Sequence, residues 1–115
     1  VKKLALFAFN GEPMCFMHVL LNALDLHDKG NEVKVIIEGA ACRLIPDMVR
    51  EDSLLFRLSE KARSLNLIEG VCRACSNKMG SFDVAKEHGF ELLDAMSGHP
   101  AMATYLTDGF EVISF

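Results

Sequence analysis

Leu4-Ala5-Leu6-Phe7-Ala8-Phe9 is an unbroken apolar run of strand length. A strand with one wet face alternates apolar and polar residues. A run with no polar position suits a strand buried on both faces, as in parallel sheets covered by helices. Asn10-Gly11 ends the run. Residues 14–29 follow at helical spacing, with Met17, Leu20, Leu21 and Leu24 on one face and His18, Asn22, Asp25 and Lys29 on the other. Gly30 stops this helix.

Outward from this first unit the alternation repeats. Residues 32–37, rich in Val and Ile, form a second strand, and a longer connection over 38–50 holds Gly39, Cys42 and Pro46. A second long helix is predicted over 51–65, with Leu54, Leu58 and Leu65 as its apolar stripe. Residues 67–72 make a third strand, weakened by Gly70, and 76–80 read as loop. Ser81 is placed as the N-cap of a short helix ending near His88-Gly89. Residues 90–93 make a fourth strand. Ser97 caps a last helix with Pro100 in its first turn and Gly109 past its end, and 110–115 close the chain as a fifth strand. The prediction is one α/β domain over residues 1–115: a three-layer α/β/α sandwich on a five-stranded parallel sheet, with four helices.

Composition agrees with a compact domain. Of 115 residues, 50% are hydrophobic and 24% charged, which is too apolar for a disordered chain. The net charge of −4 and the scattered basic residues lack the footprint of a nucleic-acid binder, so no nucleic-acid partner is expected. No apolar run approaches the ~18–20 residues of a membrane span, and Val1-Lys2-Lys3 leads into a strand rather than a signal peptide. With a large aliphatic core, the four cysteines do not resemble a secreted disulfide framework. A cytoplasmic protein with free thiols is expected.

In a parallel sheet every strand-to-helix loop lies at the carboxyl edge, where open α/β sheets bind ligands. Cys15 falls just after the first predicted strand, Cys42 just after the second, and Cys72 and Cys75 at the end of the third, so the four are expected on one edge. Cys72-Arg73-Ala74-Cys75 is the sharpest signal. Arg73, Lys78 and the start of the helix after Ser81 would each lower a thiol pKa and favour the nucleophilic thiolate. The alternative is that Cys72 is a small hydrophobe ending a buried strand. Cys15, among Met14, Phe16 and Met17, is expected to be a buried structural residue. Cys42 either lines the site or packs in the core.

Other candidates are weaker. Asn10-Gly11-Glu12 could cradle an anion beside the first helix, but a plain turn is the better reading. Glu38 either faces the crevice or is an ordinary loop acid. His99, after Gly98, is the one histidine of interest at this edge; His18 and His27 read as solvated, and His88 as a cation at a helix end. A closed zinc site normally uses two short ligand pairs, and one is present. No metal or cofactor is therefore assigned, and a site of converging thiolates stands as a rival.

Val71-Cys72-Arg73-Ala74-Cys75-Ser76 ending the third strand, together with Gly109-Phe110-Glu111-Val112-Ile113-Ser114-Phe115 closing the chain, resembles the DsrE/DsrF-like family. The resemblance implies the three-layer fold above and homo-oligomers, trimers or hexamers. It also implies that Cys72 accepts sulfane sulfur as a persulfide and exchanges it with donor and acceptor proteins. The resemblance gives Cys75 no separate role; the residues themselves suggest that Cys75 resolves the persulfide, that Arg73 and loop N–H groups stabilise charge, and that Asn10, Gly11 and Cys42 line the edge. The alternatives are a non-catalytic, homo-oligomeric small-ligand module and a thiol-based metal or redox sensor.

Overall fold

A computed structural model describes residues 1–115. Five strands, β1 (Lys3–Ala8), β2 (Glu32–Ile37), β3 (Ile68–Cys72), β4 (Leu92–Leu93) and β5 (Glu111–Ser114), form one sheet in the order β4-β3-β2-β1-β5. Every pairing is parallel, as expected. Successive crossovers from β1 to β4 step in one direction and the crossover from β4 to β5 returns past all of them. Right-handed crossovers then place the returning connection on the opposite face. The helices obey this rule. α1 (Pro13–Asp28), α2 (Ile45–Met48), α3 (Phe56–Ser64), α4 (Arg73–Lys78) and α5 (Phe82–Glu87) belong to the forward crossovers, and α6 (Met102–Thr107) alone belongs to the return.

The two faces are therefore unequal. Leu4, Leu6 and Ala8 of β1 join Val33, Val35 and Ile37 of β2 in a core of 23 buried residues beneath the forward helices. Ala5, Phe7 and Ile36 point the other way, into a core of 5 closed by Tyr105 and Phe110. This split explains the unbroken apolar run: alternate residues of β1 serve different cores.

Local chemistry shifts several predicted boundaries. Glu12 caps α1 by accepting from the Met14 amide at 3.2 Å, with Pro13 at the first helical position. The buried stripe is then Phe16, Val19, Leu20, Ala23 and Leu24, which leaves Leu21 exposed. Cys15, one position and about 100° of helix before Phe16, is also exposed rather than buried as expected. The second long helix is shorter than predicted. Ser53 Oγ accepts from the Leu55 amide at 3.1 Å in a local turn that delays α3 to Phe56. Leu55, Ser59 and Ala62 are consequently buried, whereas Leu54 is exposed. The 38–50 connection is a 3-10 turn, Gly39–Leu44, running into α2. The predicted loop at 76–80 is largely α4, so there are six α-helices rather than four.

β3 carries an irregularity: Val35 and Ile36 of β2 are adjacent, but their partners Ile68 and Gly70 are not. Gly70 is demanded here by close approach, because a Cβ on it would lie 2.6 Å from the Glu91 carbonyl oxygen. No helix is long and apolar enough to cross a membrane.

Candidate thiol site

Four side chains meet at the carboxyl edge. Glu38 follows β2, where its amide donates to the Ala8 carbonyl at 2.8 Å and its own carbonyl accepts from Ala41. Cys72 ends β3 and caps α4; its Sγ accepts from the Cys75 amide at 3.3 Å. Cys75 lies in the first turn of that helix. His99 arrives from beyond β4 on a tight turn. Met96 and His99 exchange both backbone hydrogen bonds, at 2.7 and 2.8 Å, across Ser97 and Gly98. Both central residues have positive φ, 48° and 87°, as a type I′ turn requires. The Gly98 carbonyl accepts from the Ala74 amide at 2.9 Å, which pins this turn to the start of α4.

The imidazole is the centre of the arrangement. His99 Nδ1 is 3.1 Å from Cys72 Sγ, 3.7 Å from Cys75 Sγ and 3.5 Å from Glu38 Oε1. The four donor atoms all lie within 4.8 Å of one another. Glu38 and Cys72 are buried, and Cys75 and His99 are half-buried, so the cluster has a sealed floor and an accessible rim. Burial raises the Glu38 pKa, an effect that the attraction of His99 and hydrogen bonds from Cys72 and His99 only partly offset. Cys72 is pushed up to about 12, again chiefly by burial; the Cys75 amide opposes the shift, while the Cys75 thiol and Glu38 add to it.

Arg73, one of the expected cations, is directed away from the thiols. Arg73 reaches Asp94 at 3.7 Å and lies over the Phe82 ring at 5.6 Å. Its predicted role beside the thiols is thus corrected: its exposed side chain is engaged elsewhere. Ser81 is the N-cap residue of α5, as expected, but its side chain makes no capping bond; its hydroxyl donates to the Ser76 carbonyl at 3.4 Å. The helix start beside Cys72 belongs to α4. Ser97 does not cap α6, which begins after Ala101.

The remaining candidates fall into place. Cys42 is fully buried, its thiol donates to the Ile37 carbonyl at 3.6 Å, and burial drives its pKa well up. It packs in the main core close enough to feel Cys72 and Cys75. Asn10 makes a turn, its Oδ1 accepting from the Glu12 amide at 2.8 Å. Gly11 offers its carbonyl to Arg43 at 3.1 and 3.2 Å, and a Cβ there would lie 2.7 Å from the Ala40 carbonyl oxygen. Both serve the loop rather than the cluster. Cys15 lies outside the group of four. A concavity of about 790 Å³ opens at the amino ends of the strands, lined in part by His27, Lys34, Arg63 and Glu69, and no cysteine contributes to it.

No family profile matches the chain, and no solved structure does. An uncharacterized protein of Methanocaldococcus jannaschii, MJ0733, is 34% identical over 99 residues, covering 84% of this chain and 77% of that protein. The chain belongs to the family of MJ0733. A second uncharacterized protein, from Archaeoglobus fulgidus, is 44% identical over 54 residues, covering 47% of this chain and 87% of its own length. Membership of the MJ0733 family assigns no chemistry.

Proposed function

We propose that this MJ0733-family protein is a carrier of sulfane sulfur that uses Cys75 and Cys72 as a working pair. The observation that carries the reading is the layering of the two thiols on one helical turn. Cys75 is half-exposed at the rim, Cys72 is buried beneath it, and one imidazole nitrogen contacts both sulfurs. The resemblance to the DsrE/DsrF-like family points to the same chemistry.

Access favours Cys75 as the thiol that meets a donor, in place of Cys72, which the sequence pointed to as the acceptor. The Cys75 thiol gives its proton to His99 Nδ1, and the thiolate attacks the outer sulfur of a donor persulfide, R–S–SH. The products are Cys75–S–SH and the donor thiolate R–S⁻. An acceptor thiolate can take the outer sulfur onward. Alternatively, Cys72 attacks the inner sulfur and its thiol proton leaves with the outer sulfur, forming a Cys72–Cys75 disulfide and releasing H₂S. Homo-oligomers belong to this proposal too. Exposed apolar side chains on α1 (Met14, Leu21) and on the edge strand β5 (Ile113, with Phe115 just beyond) supply surface for another copy.

Intact-mass spectrometry after incubating reduced protein with a low-molecular-weight persulfide, with the adduct mapped by fragmentation, tests the reading. One reductant-labile sulfur on Cys75 is expected; Cys75→Ser should lose it and Cys72→Ser should keep it. No adduct on protein whose Cys75 still alkylates would overturn the proposal.

A further inference from the structure

We infer that Cys72, Cys75, His99 and Glu38 form a four-donor site for one divalent ion of the zinc class. The inference stands on the geometry of the donors and does not require the sulfur reading. A tetrahedron with zinc–donor lengths of ~2.0–2.3 Å has edges of ~3.3–3.8 Å between its donors. The three separations measured from His99 Nδ1 are 3.1, 3.7 and 3.5 Å, to two sulfurs and a carboxylate oxygen. They match such edges to within a few tenths of an ångström. All pairs of donors fall within 4.8 Å, close enough to close on one ion with small rotamer adjustments.

Charge argues the same way. Two thiols and a carboxylate share a largely buried pocket in which the imidazole is the one group able to carry positive charge. Arg73 is turned to Asp94, and Arg43 is held on the Gly11 carbonyl. A divalent cation would balance two thiolates and a carboxylate to a net charge of −1, in the burial that otherwise disfavours them. The donor set decides the class. Two sulfurs and one nitrogen select zinc, cobalt(II) or iron(II) over magnesium or calcium, which take oxygen ligands.

The site is also mechanically suited to the task. Three of its ligands ride on segments bonded to one another: Cys72 and Cys75 in the first turn of α4, and His99 on a turn whose Gly98 carbonyl accepts from Ala74. Glu38 joins from the neighbouring strand end. With an ion present both thiols are occupied, so the sulfur-accepting form would be the metal-free one.

The test is anaerobic titration of Co²⁺ into reduced, metal-free protein, followed by absorbance, with zinc content by elemental analysis of protein purified without chelator. One ion per chain is expected, with intense sulfur-to-cobalt charge transfer and the visible bands of tetrahedral cobalt. Zn²⁺ should displace the cobalt and bleach both. Cys75→Ser should lower the charge-transfer intensity. His99→Gln should weaken affinity at least about 10-fold, since even groups that only support a ligand contribute that much. These rim positions are only half-buried, so the variants remain informative if Cys72→Ser fails to fold. No charge-transfer band at one equivalent of Co²⁺, or a band unchanged in both rim variants, would overturn the inference. Neither result bears on sulfur loading, which is read by mass on the metal-free protein.

Discussion

Gly70→Ala tests how the third strand positions the site. The added methyl would meet the Glu91 carbonyl oxygen at 2.6 Å and Leu93 Cγ at 2.9 Å. Ordinary contact begins near 3.4 Å, so β4 must retreat by about 0.8 Å. That retreat stretches the 2.8 Å bond from the Val71 amide to the Glu91 carbonyl past bonding distance. Little else resists, because β4 pairs with β3 only through Val71↔Leu92 and Cys72↔Leu93. Overpacking costs roughly 1–3 kcal/mol and the lost hydrogen bond about 1 kcal/mol. Reduced entropy of the unfolded chain returns about 0.4–1 kcal/mol. The net loss is about 1–3 kcal/mol, or roughly 1 M in urea midpoint at a slope of about 1–3 kcal/mol/M.

The same movement carries the segment leading to His99 away from Cys72, so the variant should alkylate faster at Cys72 under native conditions. Gly80→Ala is the control. It has open space at its Cβ position but a φ of +76°, so it loses about 1–2 kcal/mol through backbone strain alone and leaves the thiols as they were. A Gly70→Ala protein as stable as the parent, with Cys72 as slow to alkylate as in the parent, would refute the reasoning.

Three further outcomes follow from the packing. Alkylation of the native metal-free protein should proceed in the order Cys15, then Cys75, with Cys72 and Cys42 last, because exposure falls in that order; peptide mapping at timed quenches reads it. Ser59→Ala should raise the melting temperature by a few degrees in a calorimetric scan, since the fully buried Ser59 Oγ lacks a hydrogen-bond partner and Ala is the better helix former. Tyr105 is held protonated by burial and by Glu69, whose Oε2 accepts from its hydroxyl at 3.0 Å, so its folded pKa lies above the ordinary value of 10.0. The native state then holds a proton that the unfolded chain releases, and this contribution to stability is complete below pH 10 and declines above it. Tyr105→Phe should be about 1 kcal/mol less stable at neutral pH and lose less stability between pH 9 and pH 11, as followed by urea denaturation.

The sheet was legible in the sequence because burial leaves a compositional trace. A strand that feeds two cores has no polar position along its buried length, and β1 shows that over Leu4–Ala8; β2 shows it in Val35-Ile36-Ile37. Helix phase was less legible because a single side-chain bond sets it. Ser53 holds the chain in a turn, and that choice moves the buried position from Leu54 to Leu55. α4 was missed for a related reason: the atom that caps it is a cysteine sulfur, whereas capping is ordinarily read from Ser, Thr, Asp or Asn.

The cluster shows what spacing can and cannot convey. Cys72 and Cys75 stand out because they are neighbours on one turn. His99 stood out among the four histidines as the one at this edge, but its contact with the thiols was not legible, because Ser97-Gly98 admits two readings. Taken as a helix cap, Ser97 starts α6 and leaves His99 in its approach. Taken as a left-handed turn, the same dipeptide folds Met96 onto His99 and delivers the imidazole to the thiols. A positive φ at Ser97 is a minority conformation, and the bond from Ala74 to Gly98 helps to hold the turn that contains it. Local preference thus favoured the cap, and tertiary contact decided for the turn.

Strand order then determines which groups meet. β4, β3 and β2 are neighbours in the sheet, so segments following each of them, with His99, Cys72–Cys75 and Glu38, share one end. β1 is next in line, yet the loop after it is occupied by the Gly11–Arg43 contact, and α1 holds Cys15 out in solvent. A parallel sheet brings every strand end to the same edge, but it assembles a site only from adjacent strands whose following segments turn inward. Here that condition admits Glu38, Cys72, Cys75 and His99, and it excludes Cys15, although Cys15 also follows a parallel strand.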